Sequence, residues 1–357
     1  MGYGPSVAET VLITGAFGLV GSEVVRRFAL DGWRVVATAH RTVAALPAGA
    51  EPVQVDLTDA DQVQRVVAEV SSDVIVHLAA VIPPLIYYNG RLGRRVNVDA
   101  TAALLQAAER LPNPPRFVHA SSGSVYGSRN PHRHPEPVTA DTPTRPCELY
   151  GGQKLEAEQL VRASNLDWVM MRLGGVLSVD LSATPFTKDT LYFGSAMPAD
   201  GRVHCIDSRD VATAFAAATE ADVVGETLLI AGDDSHRLLQ GGIGSALAAA
   251  HGMPGAMPAG LPGNPDSDDD WYPNDWMDTA RAQQLLKFQH YSWPDMLAEI
   301  RDRAGWMRYP RRVIAPMAHQ FVKRQGAYRK SPRTHADVWG ALRARFGEVA
   351  VDTAGAE

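Results

Sequence analysis

Hydrophobic and polar positions in the first half of the chain follow two rhythms. Short, nearly continuous apolar runs occur at Thr10 to Thr14, Arg34 to Thr38, Val53 to Val55, Val74 to Leu78, Arg116 to Ala120 and Trp168 to Leu173. Between them lie stretches with apolar residues three and four apart. These are Ser22 to Leu30, with Val24, Val25, Phe28 and Ala29, then Asp59 to Val70, the Ala-rich Asn97 to Glu109, and Tyr150 to Ala163. The first rhythm predicts strands buried on both faces and the second predicts helices with one apolar side. Their alternation predicts an α/β architecture, a doubly wound parallel sheet covered by helices on both sides.

The second half is less regular. Gly175 to Val203 has few periodic stretches and many small residues, the character of a segment that covers a substrate. Asp207 to Thr219 reads as a helix, Thr227 to Ile230 as a strand and Gly241 to His251 as a helix. Pro254 to Pro273 is a connection rich in Pro, Gly and Asp, and Thr279 to Leu286 and Trp293 to Ala304 read as two closing helices. After Trp306 the chain turns basic up to Arg345. That tail reads as a solvated helical extension; the sharper alternative is a docking surface for an anionic lipid, a partner or a substrate.

Composition narrows the function classes. With 357 residues, 45% hydrophobic and 21% charged, the chain fits a soluble globular protein of one extended domain or two smaller ones. A net charge of −6 excludes a globally basic nucleic-acid binder. Cys147 and Cys205 make neither a disulfide framework nor a metal set, so a reducing cytoplasm and no metal site are expected. Cys147 reads as a small buried hydrophobe rather than a reactive thiol. Met1 to Glu9 has no cationic segment followed by a long apolar stretch, and no later run reaches the length of a membrane span.

Thr14-Gly15-Ala16-Phe17-Gly18-Leu19-Val20-Gly21 closes the first apolar run with a glycine-rich turn. A turn of this kind between a strand and a helix aims backbone N–H groups and a helix N-terminus at a phosphate. Gly15 permits the turn, Gly18 admits a pyrophosphate, and Gly21 lets helix and strand pack closely, with Phe17 inside the turn. The spacing is G-x-x-G-x-x-G rather than G-x-G-x-x-G. After the second strand, Ala39-His40-Arg41 offers cations and no acid. A cation there favours a ribose 2′-phosphate, so His40 and Arg41 point to NADP in preference to NAD; the alternative is a surface loop with Arg41 turned to water. Asp56, followed by Leu57, sits where a carboxylate can accept from an adenine amino group or cap the helix from Asp59. Ala79 and Ala80 are small enough for a cofactor to lie across them, and His77 reads as a satisfied core histidine.

Tyr150 and Lys154 stand one helical turn apart. A phenol with pKa about 10 is poorly matched to neutral pH, and a neighbouring cation on the same helix face lowers it. Ser122 is placed to hold a substrate oxygen beside that phenol. With the glycine turn, the set predicts a nicotinamide-dependent enzyme that moves a proton while the dinucleotide moves a hydride.

Together these motifs resemble the short-chain dehydrogenase/reductase superfamily, in its extended branch with the NAD-dependent epimerases and dehydratases. The resemblance spans roughly residues 10 to 300. It also rests on Val96-Asn97-Val98, Ser121-Ser122-Gly123-Ser124-Val125-Tyr126-Gly127, Ile206 to Ala212 and Met277 to Arg281. The resemblance implies Ser122, Tyr150 and Lys154 as the catalytic triad, with Tyr150 and Lys154 also against the cofactor and Lys154 bridging the nicotinamide ribose. It implies Asn97 as part of the active-site framework, and a homodimer packed through the helices from Asn97 and Tyr150.

Departures from the family pattern narrow the reaction. Gly123-Ser124 stands where the dehydratases carry an Asp-Glu pair, so dehydration by that route is not expected. Leu173-Gly174-Gly175-Val176 follows Arg172 where epimerases usually carry Asn and Tyr-Gly-Pro, and the apolar loop Val81 to Tyr88 lacks the lysine that many of them place there. An apolar wall suits a less polar carbonyl or alcohol, because unpaired hydroxyls are costly to bury; packing beneath the helix at Asn97 is the plainer alternative. Val81, Ile82, Ser124, Arg172 and Arg202 are the substrate-side candidates. The expected division is a dinucleotide-binding Rossmann domain over 8–175, a smaller substrate-binding region over 176–305 with 206–231 returning to the sheet, and a basic extension over 306–357. The expected activity is hydride transfer between NAD(P) and a small-molecule carbonyl or alcohol. A nucleotide-sugar 4-epimerase with retained NAD is the runner-up, with Arg202 or Arg209 against the diphosphate. A cofactor-sensing regulatory protein is a third reading, against which the complete triad stands.

Overall fold

The computed structural model of the chain describes residues 9–40, 46–180, 187–329 and 333–351. Strand β1 (Thr10–Thr14) is followed by α1 (Leu19–Leu30), β2 (Arg34–Ala39), β3 (Ala50–Gln54), α2 (Ala60–Val70) and β4 (Val74–His77). Two short helices, α3 (Leu85–Tyr88) and α4 (Gly90–Arg94), and a π-helical turn at Arg95–Asp99 lead into α5 (Ala100–Glu109). Next come β5 (Arg116–Ser122), α6 (Leu149–Ala163), β6 (Trp168–Leu173), β7 (Gly175–Leu177), α7 (Lys188–Ala196), β8 (Arg202–Asp207), α8 (Ser208–Glu220) and β9 (Thr227–Ile230). The chain continues through β10 (Arg237–Leu239), α9 (Gln240–Ala250), α10 (Ala280–Leu286), α11 (Trp293–Ala304), α12 (Arg308–Gln325) and α13 (Val338–Phe346).

Among the described residues one parallel sheet has the order β3-β2-β1-β4-β5-β6-β9, and a small second sheet has the order β10-β8-β7. Alternation within β1 shows why both faces of the large sheet must be covered. Val11 and Ile13 pack into the core that holds Val24, Val25 and Phe28 of α1 and Phe215 of α8. Leu12 enters the opposite core with Val63 and Val67 of α2 and Leu104 of α5. The doubly wound α/β expectation is therefore what the chain adopts. Strand order reverses between β1 and β4, and their carboxyl ends open the crevice where such sheets hold ligands. Strand β9 pairs with β6, so the segment after β8 rejoins the large sheet.

Three expectations change. The helix expected from Asn97 begins as α4 at Gly90, where the Asn89 side chain accepts from Leu92 N–H, and passes through the π-helical turn at Asn97. Gly175 to Val203, read as irregular, contains β7, α7 and the start of β8. The tail is not uniformly solvated. Helix α12 is largely exposed, but α13 buries Val338, Leu342 and Phe346 in a cluster with Val81, Ile86 and Tyr87.

Candidate active site

Below the crevice, Gly15 has φ +70°, and a Cβ added there would lie 2.7 Å from the Ala79 nitrogen. A Cβ at Gly21 would overlap the Gly15 carbonyl oxygen. These two positions hold the turn against β4 and set the first turn of α1 directly over it. The N-terminus of α1 carries no side-chain cap and no acidic residue in its first turn, so its N–H groups are left to an anion. The floor is braced by Thr14, whose Oγ1 lies 2.6 Å from His77 Nδ1 and accepts from the Ala79 N–H at 3.3 Å. His77 Nε2 meets Thr101 Oγ1 at 2.9 Å, so this histidine is the satisfied core residue expected of it. A cradle that only glycine can form, beneath an uncapped helix N-terminus, fits a dinucleotide pyrophosphate.

At the far end of the crevice Asp56 is not the cap of α2; Asp59 is, accepting from the Asp61 and Gln62 N–H groups. Asp56 Oδ1 accepts instead from the Thr58 N–H and hydroxyl, at 2.9 and 2.7 Å, which holds its carboxyl below the usual range. Its Oδ2 lies 3.8 Å from His40 Nε2. Leu57 is half-buried beside it and Phe17 is packed against the sheet core. Arg41 lies outside the described residues.

Strand β5 delivers Ser122 to the crevice, where its Oγ accepts from the Ser124 N–H at 3.2 Å and meets the Ser124 hydroxyl at 3.3 Å. Helix α6 starts one residue before Tyr150, and the Ser122 hydroxyl is close enough to the Tyr150 phenol to lower its pKa. Lys154, one turn on, is buried; its Nζ donates to the Ala120 carbonyl at 2.7 Å and sits 6.0 Å from the centre of the Tyr150 ring. The structure thus brings the three predicted residues together. It corrects the expected direction of the phenol's titration. Burial pushes Tyr150 up, the Glu148 carboxyl adds to that, and the nearby Ser122 hydroxyl pulls it down. Lys154 is itself lowered to about 8 by burial, against the pull of Glu158.

Glu148 is a residue that sequence reading does not single out. It is buried, caps α6 by accepting from the Tyr150 and Gly151 N–H groups, and accepts from the Tyr87 hydroxyl at 3.0 Å. Burial raises its carboxyl to about 7 despite those donors. Tyr87 continues to Tyr272 at 3.3 Å between hydroxyls. The available signal was positional: an acid two residues before Tyr150 stands where a helix cap belongs.

Other candidates lie further from the chemistry. Asn97 accepts from the Val81 N–H at 2.8 Å and donates to the Val81 carbonyl and Gln153 Oε1, both at 3.0 Å. It positions the wall after β4 rather than touching the triad. Val81 is buried and Ile82 exposed. Arg172 is corrected as a substrate contact. It is buried, paired with Glu158 at 2.7 Å, and donates to the Tyr126 hydroxyl at 2.8 Å. Arg202 is mostly engaged as well, donating to the carbonyls of His134, Pro135 and Pro131 and facing Asp275 at 3.6 Å. It still lines a small cleft with Met197, Trp271 and Tyr272. Burial raises the Cys147 thiol to about 11, which keeps it protonated.

The C-terminal segment packs against the start of α6 and the helix after β4. The Leu149 N–H, next to Tyr150, donates to the Val349 carbonyl at 3.0 Å. Phe346 packs edge-on to Tyr88 at 5.0 Å and lies 6.1 Å from Tyr87.

A family model described as the NAD dependent epimerase/dehydratase family matches residues 11–231. The chain is 32% identical over 190 residues to methionine adenosyltransferase 2 subunit beta of Bos taurus, covering 52% of this chain and 53% of that protein. It is 32% identical over 178 residues to UDP-glucose 4-epimerase 2 of Oryza sativa subsp. japonica, covering 44% and 41%. It is 33% identical over 163 residues to D-erythronate dehydrogenase of Cupriavidus necator, covering 42% and 49%. The chain thus spans about half the length of the curated relatives it matches. Among solved structures, UDP-glucuronic acid 4-epimerase from Bacillus cereus, in complex with UDP-glucuronic acid and NAD, shares the fold. Its TM-score is 0.65 at 20% identity, over 84% of this chain and 99% of that one.

Proposed function

Because the chain belongs to the NAD dependent epimerase/dehydratase family, we propose that it is a nicotinamide-dependent oxidoreductase. It moves a hydride between cofactor and the carbonyl or alcohol carbon of a small molecule, working as a homodimer packed through α5 and α6. The observation that carries this reading is the meeting of Ser122 and Lys154 at Tyr150, with the Lys154 ammonium 6.0 Å from the centre of the Tyr150 ring. Gly15, Phe17, Gly18, Gly21 and Ala79 would hold the dinucleotide, with Asp56 and His40 at its adenosine end. The bound nicotinamide supplies the hydride acceptor or donor. Ser122 orients the substrate oxygen, and Tyr150, kept protonated by burial, gives its proton as that oxygen becomes an alkoxide. The acid-free Ala39-His40-Arg41 favours NADP.

A nucleotide-sugar 4-epimerase with retained NAD is the second reading, favoured by the similarity to UDP-glucose 4-epimerase 2. Against it, the arginines expected to grip a diphosphate are engaged elsewhere: Arg202 by Asp275 and three carbonyls, Arg209 by Asp207 and Glu299. Denaturing the purified protein and identifying any released nucleotide separates the two. Protein that arrives empty and binds NADPH reversibly is expected; stoichiometric NAD that does not exchange would favour the epimerase. Tyr150→Phe should abolish turnover and leave cofactor binding intact, and undiminished turnover would remove Tyr150 from the chemistry.

A further inference from the structure

Helix α12 is built inside out. Its buried side is small and polar: Ala315 is buried, and the His319 ring lies 2.9 Å from the Gly255 carbonyl. Just beyond its end the Ala327 N–H donates to Ser195 Oγ at 2.9 Å and the Tyr328 hydroxyl to the Ala196 carbonyl at 2.8 Å. These anchors turn the apolar side outward. Trp306, just before the helix, and Tyr309, Val313, Met317 and Phe321 follow one another at steps of three and four, and each is at least half exposed. Steps of that size put all five along one face of the helix.

The same helix, Arg308–Gln325, carries Arg308, Arg311, Arg312, Lys323 and Arg324 and no Asp or Glu, in a chain whose net charge is −6. An outward apolar stripe on a helix whose only charges are cations matches the interfacial helices that lie in the headgroup region of a membrane. A second copy of the chain is a poor occupant. A two-fold contact through this face would set five cations against five. Among the described residues no helix is long and apolar enough to cross a membrane. We propose that α12 docks the protein on the surface of an anionic lipid bilayer, with Trp306, Val313, Met317 and Phe321 entering the acyl boundary and the flanking Arg and Lys side chains pairing with lipid phosphates.

Flotation of the full chain with vesicles tests this, using phosphatidylcholine alone and phosphatidylcholine mixed with phosphatidylglycerol. The chain is expected to float with the mixed vesicles, much less with the neutral ones, and to be released by salt. Met317→Asp combined with Phe321→Asp should lower binding at least tenfold, and Arg312→Gln and Lys323→Gln roughly fivefold each. Unchanged dinucleotide binding by the variants shows that they remain folded. A chain that stays in solution with both vesicle types overturns the proposal, as does equal flotation of parent and Met317→Asp/Phe321→Asp protein. A smaller assembly for that variant by light scattering would also overturn it, by assigning α12 to a contact between copies.

Discussion

At Tyr150 and Lys154 burial sets the chemistry more than their mutual approach does. The phenol is held protonated, the form that can give a proton to a forming alkoxide, while the ammonium one turn away titrates near 8. Below that value Lys154 is charged and stabilises the phenolate left after proton transfer; above it the charge is lost. The kcat for carbonyl reduction is therefore expected to decline as pH rises through about 8. A kcat that stays level across that range would separate Lys154 from the proton step. Sequence alone gave the residue types, their spacing and their meeting with Ser122. It gave the wrong direction for the phenol because desolvation and the Glu148 carboxyl depend on what packs around the helix start. Glu148 comes from the adjoining loop, but the Tyr87 hydroxyl that meets it lies sixty-one residues away.

Elements that bury a continuous apolar run are those that pattern reading places well. Thr10 to Thr14, Trp168 to Leu173 and Thr227 to Ile230 are observed at their expected bounds, because a strand covered on both faces can carry little else. Elements whose partners come from afar are missed. Helix α7 has one buried residue, Ala196, and owes its place to contacts with α12 and α13, for which local periodicity gives no sign. The glycine turn between β1 and α1 shows how one element pair limits function. Gly21 has no room for a Cβ against the Gly15 carbonyl oxygen and the Ala16 backbone, so Gly21→Ala must push α1 away from the turn. Overpacking of this kind costs about 1–3 kcal/mol and would spread the N–H groups that meet the pyrophosphate. Titration with NADPH should show at least a tenfold weaker Kd for Gly21→Ala alongside a lower Tm. Parent-like affinity would mean that the dinucleotide does not rest on this turn.

Across the whole molecule, a segment some two hundred residues downstream of the start of α6 packs back against the residues beside Tyr150. Tyr150 stands on α6 and the glycine cradle on the turn after β1, whereas Phe346 and Val349 reach back to Tyr87 and Leu149 from α13 and just beyond it. On the proposed reading the cofactor rests on the glycine turn and the substrate lies against the α13 side, so a change in α13 should separate the two. Phe346→Ala removes a side chain buried among Tyr87, Tyr88 and Tyr192, at a cost of about 3–5 kcal/mol to local packing. The packing around Tyr87 and Tyr88 would loosen while Gly15, Gly21 and Ala79 stay in place. The expected result is a raised KM for substrate with an unchanged Kd for NADPH, and a modest fall in Tm. If KM and Kd rise together, α13 acts through the stability of the whole fold and the substrate wall must be sought in other segments. If only KM moves, the basic extension is part of the substrate pocket, and the specificity of this chain lies in residues beyond the stretch matched to its family.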